Sequence, residues 1–94
     1  MLCTIHLPSA IAHLLGADQV SVEASTIAGA LAAAYVKHPA LENLINDETG
    51  SFREHVLCFH NTASGSTNTR WLPDLSAPLQ PGDSLLIMQA VTGG

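Results

Sequence analysis

The sequence predicts an α+β fold in which one main helix packs across a mixed sheet of four to five strands. Three observations lead there. Two short runs, Leu2 to Leu7 and Gln19 to Glu23, alternate their side chains as half-buried strands do. An alanine-rich segment, residues 26–37, carries its larger apolar residues at helical spacing. Two more strand-like runs follow, His55 to His60 and Leu85 to Ala90, so strands stand on both sides of the helix in the chain.

In order, Leu2 to Leu7 places Cys3, Ile5 and Leu7 on one face and Leu2, Thr4 and His6 on the other, and Pro8 ends it. Ser9 to Leu15 reads as a short helical turn stopped by Gly16. Gln19 to Glu23, built around Val20 and Val22, is a second strand hairpinned to the first. Ser25 is the expected N-cap of the main helix. Ile27, Leu31, Ala34 and Tyr35 supply its packed side, Lys37 and His38 suit the negative end of its dipole, and Pro39 ends it. Leu41 to Ile45 reads as a second short helix, and Asn46 to Ser51 as a polar loop. After the third strand, Asn61 to Thr69 is expected to be a long turn and Arg70-Trp71-Leu72 a short edge strand. Pro81-Gly82-Asp83 then turns the chain into the last strand, Leu85 to Ala90, which is apolar enough to be buried on both faces.

Composition bounds the function. Ninety-four residues make one domain. With 47% apolar and 12% charged residues the chain is globular, and this size buries somewhat over ~60% of the unfolded surface. A net charge of −5, with Lys37, Arg53 and Arg70 as the positive residues, excludes a nucleic-acid footprint and favours a partner with a basic docking surface. No apolar run approaches the ~18 residues of a membrane span, and the start lacks the basic region of a signal peptide, so a cytoplasmic location is expected.

The sequence finishes Ala90-Val91-Thr92-Gly93-Gly94. Five extended residues reach roughly 16–18 Å from the domain. Glycine without a Cβ threads a narrow channel, and a terminal carboxylate is ionised at neutral pH. The expected division is therefore a folded domain, residues 1–90, and a flexible Gly-Gly tail, residues 91–94.

Leu79-Gln80-Pro81-Gly82-Asp83, the strand after it and Val91-Thr92-Gly93-Gly94 together resemble the MoaD/ThiS family of ubiquitin-like sulfur carriers. The resemblance spans essentially the whole chain and implies a β-grasp fold. The Asn46 to Gly50 loop is most similar to the slightly longer members, such as the carrier of thiocarboxylate-dependent cysteine synthesis. Where members carry a compact Val-Asn-acidic turn after the third strand, Asn61 here opens a Thr/Ser/Gly stretch. The resemblance implies that an E1-like adenylating enzyme spends ATP to make an acyl-adenylate on Gly94. A sulfur donor then displaces AMP and leaves a thiocarboxylate. Gly93 must be free of a side chain in the enzyme's channel, and Val91 and Thr92 lie along its mouth. The implied partners are that adenylating and sulfur-transferring enzyme, a sulfur-accepting synthase and a metal-dependent peptidase. The carrier itself binds no cofactor and catalyses nothing.

In the β-grasp frame, if Leu85 and Ile87 face the helix then Leu86 and Met88 face away, and with Val56 and Cys58 inward, Leu57 and Phe59 join them. These four residues are the expected partner-binding patch. The same frame sets Cys3 and Cys58 on strands about 10 Å apart, too far for a disulfide. Both are expected to be small buried apolar residues. The five histidines show no zinc spacing and are expected at the surface or at strand ends, and no nucleophile set or phosphate-binding loop is visible. Two other readings remain open beside the carrier: a ubiquitin-like modifier joined to target lysines through Gly94, and a β-grasp interaction module with an inert tail.

Overall fold

The computed structural model describes residues 2–49, 52–62, 67–68 and 76–89. The elements are β1 (Leu2–His6), α1 (Ser9–Leu15), β2 (Gln19–Glu23), α2 (Ile27–Lys37), α3 (Pro39–Ile45), β3 (Val56–Asn61), β4 (Thr67–Asn68) and β5 (Ser84–Gln89). The strands form one sheet in the order β2-β1-β5-β3-β4, with β5 parallel to β1 and the other pairs antiparallel. The helix-and-mixed-sheet expectation is met, and the fold is the ubiquitin-like β-grasp.

β1, β2, β3 and β5 each bury alternate residues, as their patterns dictate. Cys3 and Ile5, Val20 and Val22, Val56 and Cys58, and Leu85 and Ile87 all point to the same side. Against them lies the face of α2 formed by Ile27, Ala30, Leu31 and Ala34, spaced three and four apart. Ala30 and Ala34 are fully buried, and their small side chains let the helix lie close on the sheet. Leu41 and Ile45 of α3 close the core.

Local chemistry departs from the sequence reading at three places. The N-cap of α2 is Thr26, whose hydroxyl accepts from the Gly29 N–H at 3.0 Å, and Ser25 instead accepts the Leu79 N–H through its carbonyl. The preceding residue is thus taken up in stitching residues 77–79 to the helix start. Pro39 both ends α2 and starts α3 from the first helical position, where its missing N–H removes no bond. The short edge strand is Thr67–Asn68, inside the stretch expected to be a turn, because Asn61 pairs with Thr67 and His60 with Asn68 in a hairpin. Arg70-Trp71-Leu72, the expected edge strand, lies outside the described residues.

The lead-in to β5 is a turn with a buried polar anchor. Pro81 and Gly82 occupy the two central positions, Gly82 at φ +88°, and the Asp83 N–H donates to the Gln80 carbonyl at 3.0 Å. That is type II geometry, which asks for proline first and glycine second. The Asp83 carboxylate reaches back to accept the Gln80 N–H at 3.0 Å. The same oxygen lies 2.8 Å from Nε2 of His60 on β3. An ionised carboxylate only accepts, so the imidazole N–H donates in this bond. The side chains are 10% and 1% exposed, so His60 is a core histidine and not the surface or strand-end residue expected.

Removing either side chain deletes the buried imidazole–carboxylate bond, while Asp83, where it is kept, still accepts from the Gln80 N–H. His60→Ala and Asp83→Ala should each lower stability by about 1–3 kcal/mol. The double variant should lose clearly less than the sum of the two. Urea unfolding measures all three, and strictly additive losses would show that the residues do not act as a pair.

Candidate functional site

The side of the sheet opposite α2 is formed by the alternate residues of β1, β5 and β3. On these three strands it carries Leu2, Thr4, His6, Ser84, Leu86, Met88, Leu57, Phe59 and Asn61, none of them acidic, lysine or arginine. The register sorts them into rows. Leu57 stands opposite Met88; Phe59 stands opposite Leu86, which has His6 on its other flank. The next row is polar, Thr4, Ser84 and Asn61. Met88 is 43% exposed, and Leu57, Phe59 and Leu86 are half-buried.

The structure therefore brings the four apolar patch residues together on adjacent strands of one face. It also gives the patch a direction that alternation alone does not supply. Both apolar rows lie at the Gln89 end of β5, and the polar row lies toward its start. The patch thus borders the point from which the sequence continues toward residues 91–94. His6 joins this surface through the β1/β5 register; a reading confined to β3 and β5 passed it over. Val91, Thr92, Gly93 and Gly94, the remaining candidate residues, lie outside the described residues, as does the boundary expected at residue 90.

The thiols lie on the other side. Cys3 and Cys58 are both free and both 1% exposed, on strands separated by β5. Burial pushes the Cys58 thiol up to about 12, with the neighbouring Cys3 adding to the effect. Burial and the nearby Asp83 carboxylate raise Cys3 as well, against a lowering backbone bond from Leu85. Neither is a nucleophile at neutral pH. Among the described residues, no group of three or more His, Cys, Asp or Glu is placed to hold a metal ion, and no helix is long and apolar enough to cross a membrane.

The solved structures similar to this chain agree on its fold. SAMP1 from Haloferax volcanii superposes with a TM-score of 0.79 at 26% identity, covering 100% of both chains. CysO from Mycobacterium tuberculosis gives 0.74 at 20% identity over 95% of this chain and 99% of its own. A chain of the Amycolatopsis orientalis BexX/CysO complex gives 0.71 at 20% identity over 98% and 99%. These neighbours are ubiquitin-like β-grasp proteins of the MoaD/ThiS type. No protein-family model and no curated protein matches the sequence.

The buried thiol has a consequence in alkali. Cys58 rises from 9.0 to about 12, and Tyr35 rises from 10.0 to about 12 through burial and the Glu42 charge. Their contribution to stability is complete below pH 9 and is lost as the pH climbs toward 12, because the unfolded chain ionises first. Denaturant midpoints should fall across that window, and Cys58→Val should fall less. An identical fall in the variant would remove Cys58 as a cause.

Proposed function

We infer that this chain, a β-grasp protein of the MoaD/ThiS type, is a sulfur carrier whose Gly94 carboxylate is adenylated and converted to a thiocarboxylate. The observation that carries the reading is the placement of the apolar rows Leu57/Met88 and Phe59/Leu86 at the Gln89 end of β5. An enzyme gripping that face receives Val91-Thr92-Gly93-Gly94 within roughly 16–18 Å of it. Full-length likeness to SAMP1 supports a ubiquitin-like carrier or modifier, the class within which this reading falls.

The chemistry follows from the carboxylate. A carboxylate carbon offers no good leaving group, and attack of its oxygen on the α-phosphorus of ATP supplies one, releasing pyrophosphate. A hydrosulfide-level donor then displaces AMP at the acyl carbon and leaves the thiocarboxylate directly. A persulfide donor leaves an acyl disulfide, whose S–S bond a second thiol cleaves to release the thiocarboxylate and a disulfide. The resulting thiocarboxylate is a soft anionic nucleophile, held on a tether that raises its effective concentration at an acceptor's site. ATP is consumed by the partner and not held by this chain. The domain contributes recognition and reach, and the E1-like enzyme contributes catalysis. The BexX/CysO complex, in which CysO is held by another protein, supports a protein partner for this chain, and this reading expects a synthase that accepts the sulfur. The reading sets the protein in the cytoplasm, beside ATP and persulfide donors.

A second reading is favoured by one observation: the similar SAMP1 structures, from Haloferax volcanii and Methanosarcina acetivorans, are small archaeal modifier proteins. Modification of target lysines would begin with the same adenylate. Intact mass of a chain ending at Gly94, incubated with its adenylating enzyme, ATP and a sulfur donor, separates the two. Exchange of one oxygen for sulfur supports the carrier. Lysine adducts in cell extract support the modifier, and an unchanged mass in both assays leaves an inert module.

The face itself is testable. Phe59→Ala and Met88→Ala should each weaken activation by about 1–2 kcal/mol, raising KM roughly 5- to 30-fold. Their unfolding midpoints should stay near that of the parent. Unchanged activation kinetics would exclude this face as the docking surface.

A further inference from the structure

The sheet has two edges, and they differ. β4 is two residues long, whereas β2 offers five exposed-to-buried alternating residues, Gln19–Glu23. The phase of its backbone is fixed by the bond from the Leu7 N–H to the Asp18 carbonyl at 2.9 Å. Bonded pairs alternate along an antiparallel ladder, so Val20 and Val22 turn their backbone groups toward β1. Gln19, Ser21 and Glu23 turn theirs outward, and Ser21 is the middle one. Its carbonyl is occupied: the Lys37 ammonium, at the last residue of α2, reaches round the edge and donates to it. Lys37 is the single lysine of the sequence.

We propose that β2 is a latent self-pairing edge, fitted to a second copy of the same strand, and that Lys37 holds it closed. The occupant follows from the register. Antiparallel pairing of two β2 strands about Ser21 brings the outward groups of Gln19, Ser21 and Glu23 into mutual register. It sets Gln19 opposite Glu23, so no like charges face each other within the ladder. Val20 then stands opposite Val22 on the buried side, extending the two apolar layers into one sheet across both copies. Lys37 opposes this in two ways. Its ammonium fills the central acceptor of the edge, and two-fold pairing brings two ammonium groups to the same spot. This inference does not depend on the sulfur-carrier reading. It makes Lys37 a position where loss of the charge, by substitution or by acylation of the amine, changes the assembly state.

The test is light scattering after size-exclusion chromatography over a wide concentration range. The parent and Lys37→Arg, which keeps a charged donor, should remain monomeric. Lys37→Met, which keeps the stem and removes the donor, should double in apparent mass at high concentration. Added salt should favour that dimer, because each copy is strongly acidic. Adding Ser21→Pro, which deletes the outward N–H on an edge strand that tolerates proline, should return Lys37→Met to a monomer. Amide exchange gives a second measurement without the proline: protection at Ser21 in Lys37→Met should rise with concentration. A monomeric Lys37→Met, a parent that is already dimeric, or association that neither protects Ser21 nor yields to Ser21→Pro would overturn the proposal.

Discussion

The fold depends on how its central strand is anchored. β5 is hydrogen-bonded to β1 on one side and β3 on the other, and it enters the sheet through a turn whose last residue is Asp83. That carboxylate holds the turn through the Gln80 N–H and holds β3 through the His60 imidazole, with one oxygen serving both. A buried charge is costly unless paired and hydrogen-bonded, so the register of β5 against β3 is tied to satisfying this one group. Slipping β5 by a residue would strand Asp83 in apolar surroundings and reverse every side chain after it. The inward set Leu85 and Ile87 and the outward set Leu86 and Met88 are thus secured from the strand's first residues.

Much of this was legible in the sequence, and the limits are physical. Alternation in β1 and β2 and the short apolar run of β5 after its turn identified the strands, and parity alone assigned Leu57, Phe59, Leu86 and Met88 to the open face. The alanine-rich segment 26–37 was legible as a helix, and the structure shows that Ala30 and Ala34 are the alanines at the sheet. What local reading could not supply was pairing over distance. His60 and Asp83 are 23 residues apart, and neither segment signals a polar partner inside the core. Ser25 and Thr26 are equally able caps, and the choice falls to Thr26 where Leu79 bonds the Ser25 carbonyl and Ile27 donates to Ala77. β4 exists through its register with Asn61 and His60, not through strand propensity of its own. The direction of the patch and the contribution of His6 likewise needed the parallel register of β1 with β5.

The two faces of the sheet divide the labour of the molecule. The inner face carries the stability: α2, α3 and the apolar residues of four strands. The outer face carries little of it, which leaves its residues open to selection by a partner. Under the proposed function its uncharged rows would suit a desolvated contact near the Gln89 end, and the net acidic charge would suit long-range steering toward a basic partner. Recognition and folding therefore place separate demands on alternate residues of the same strands.

The seclusion of the two thiols bears on chemical selectivity. An activated acyl group is attacked by any accessible thiolate, and a thioester formed within the carrier would be a dead end. Cys3 and Cys58 are protonated and sealed beneath α2, so a reactive Gly94 would find no competing sulfur on its own body. Fidelity of transfer would then rest less on the enzyme's speed than on the carrier's inertness toward itself.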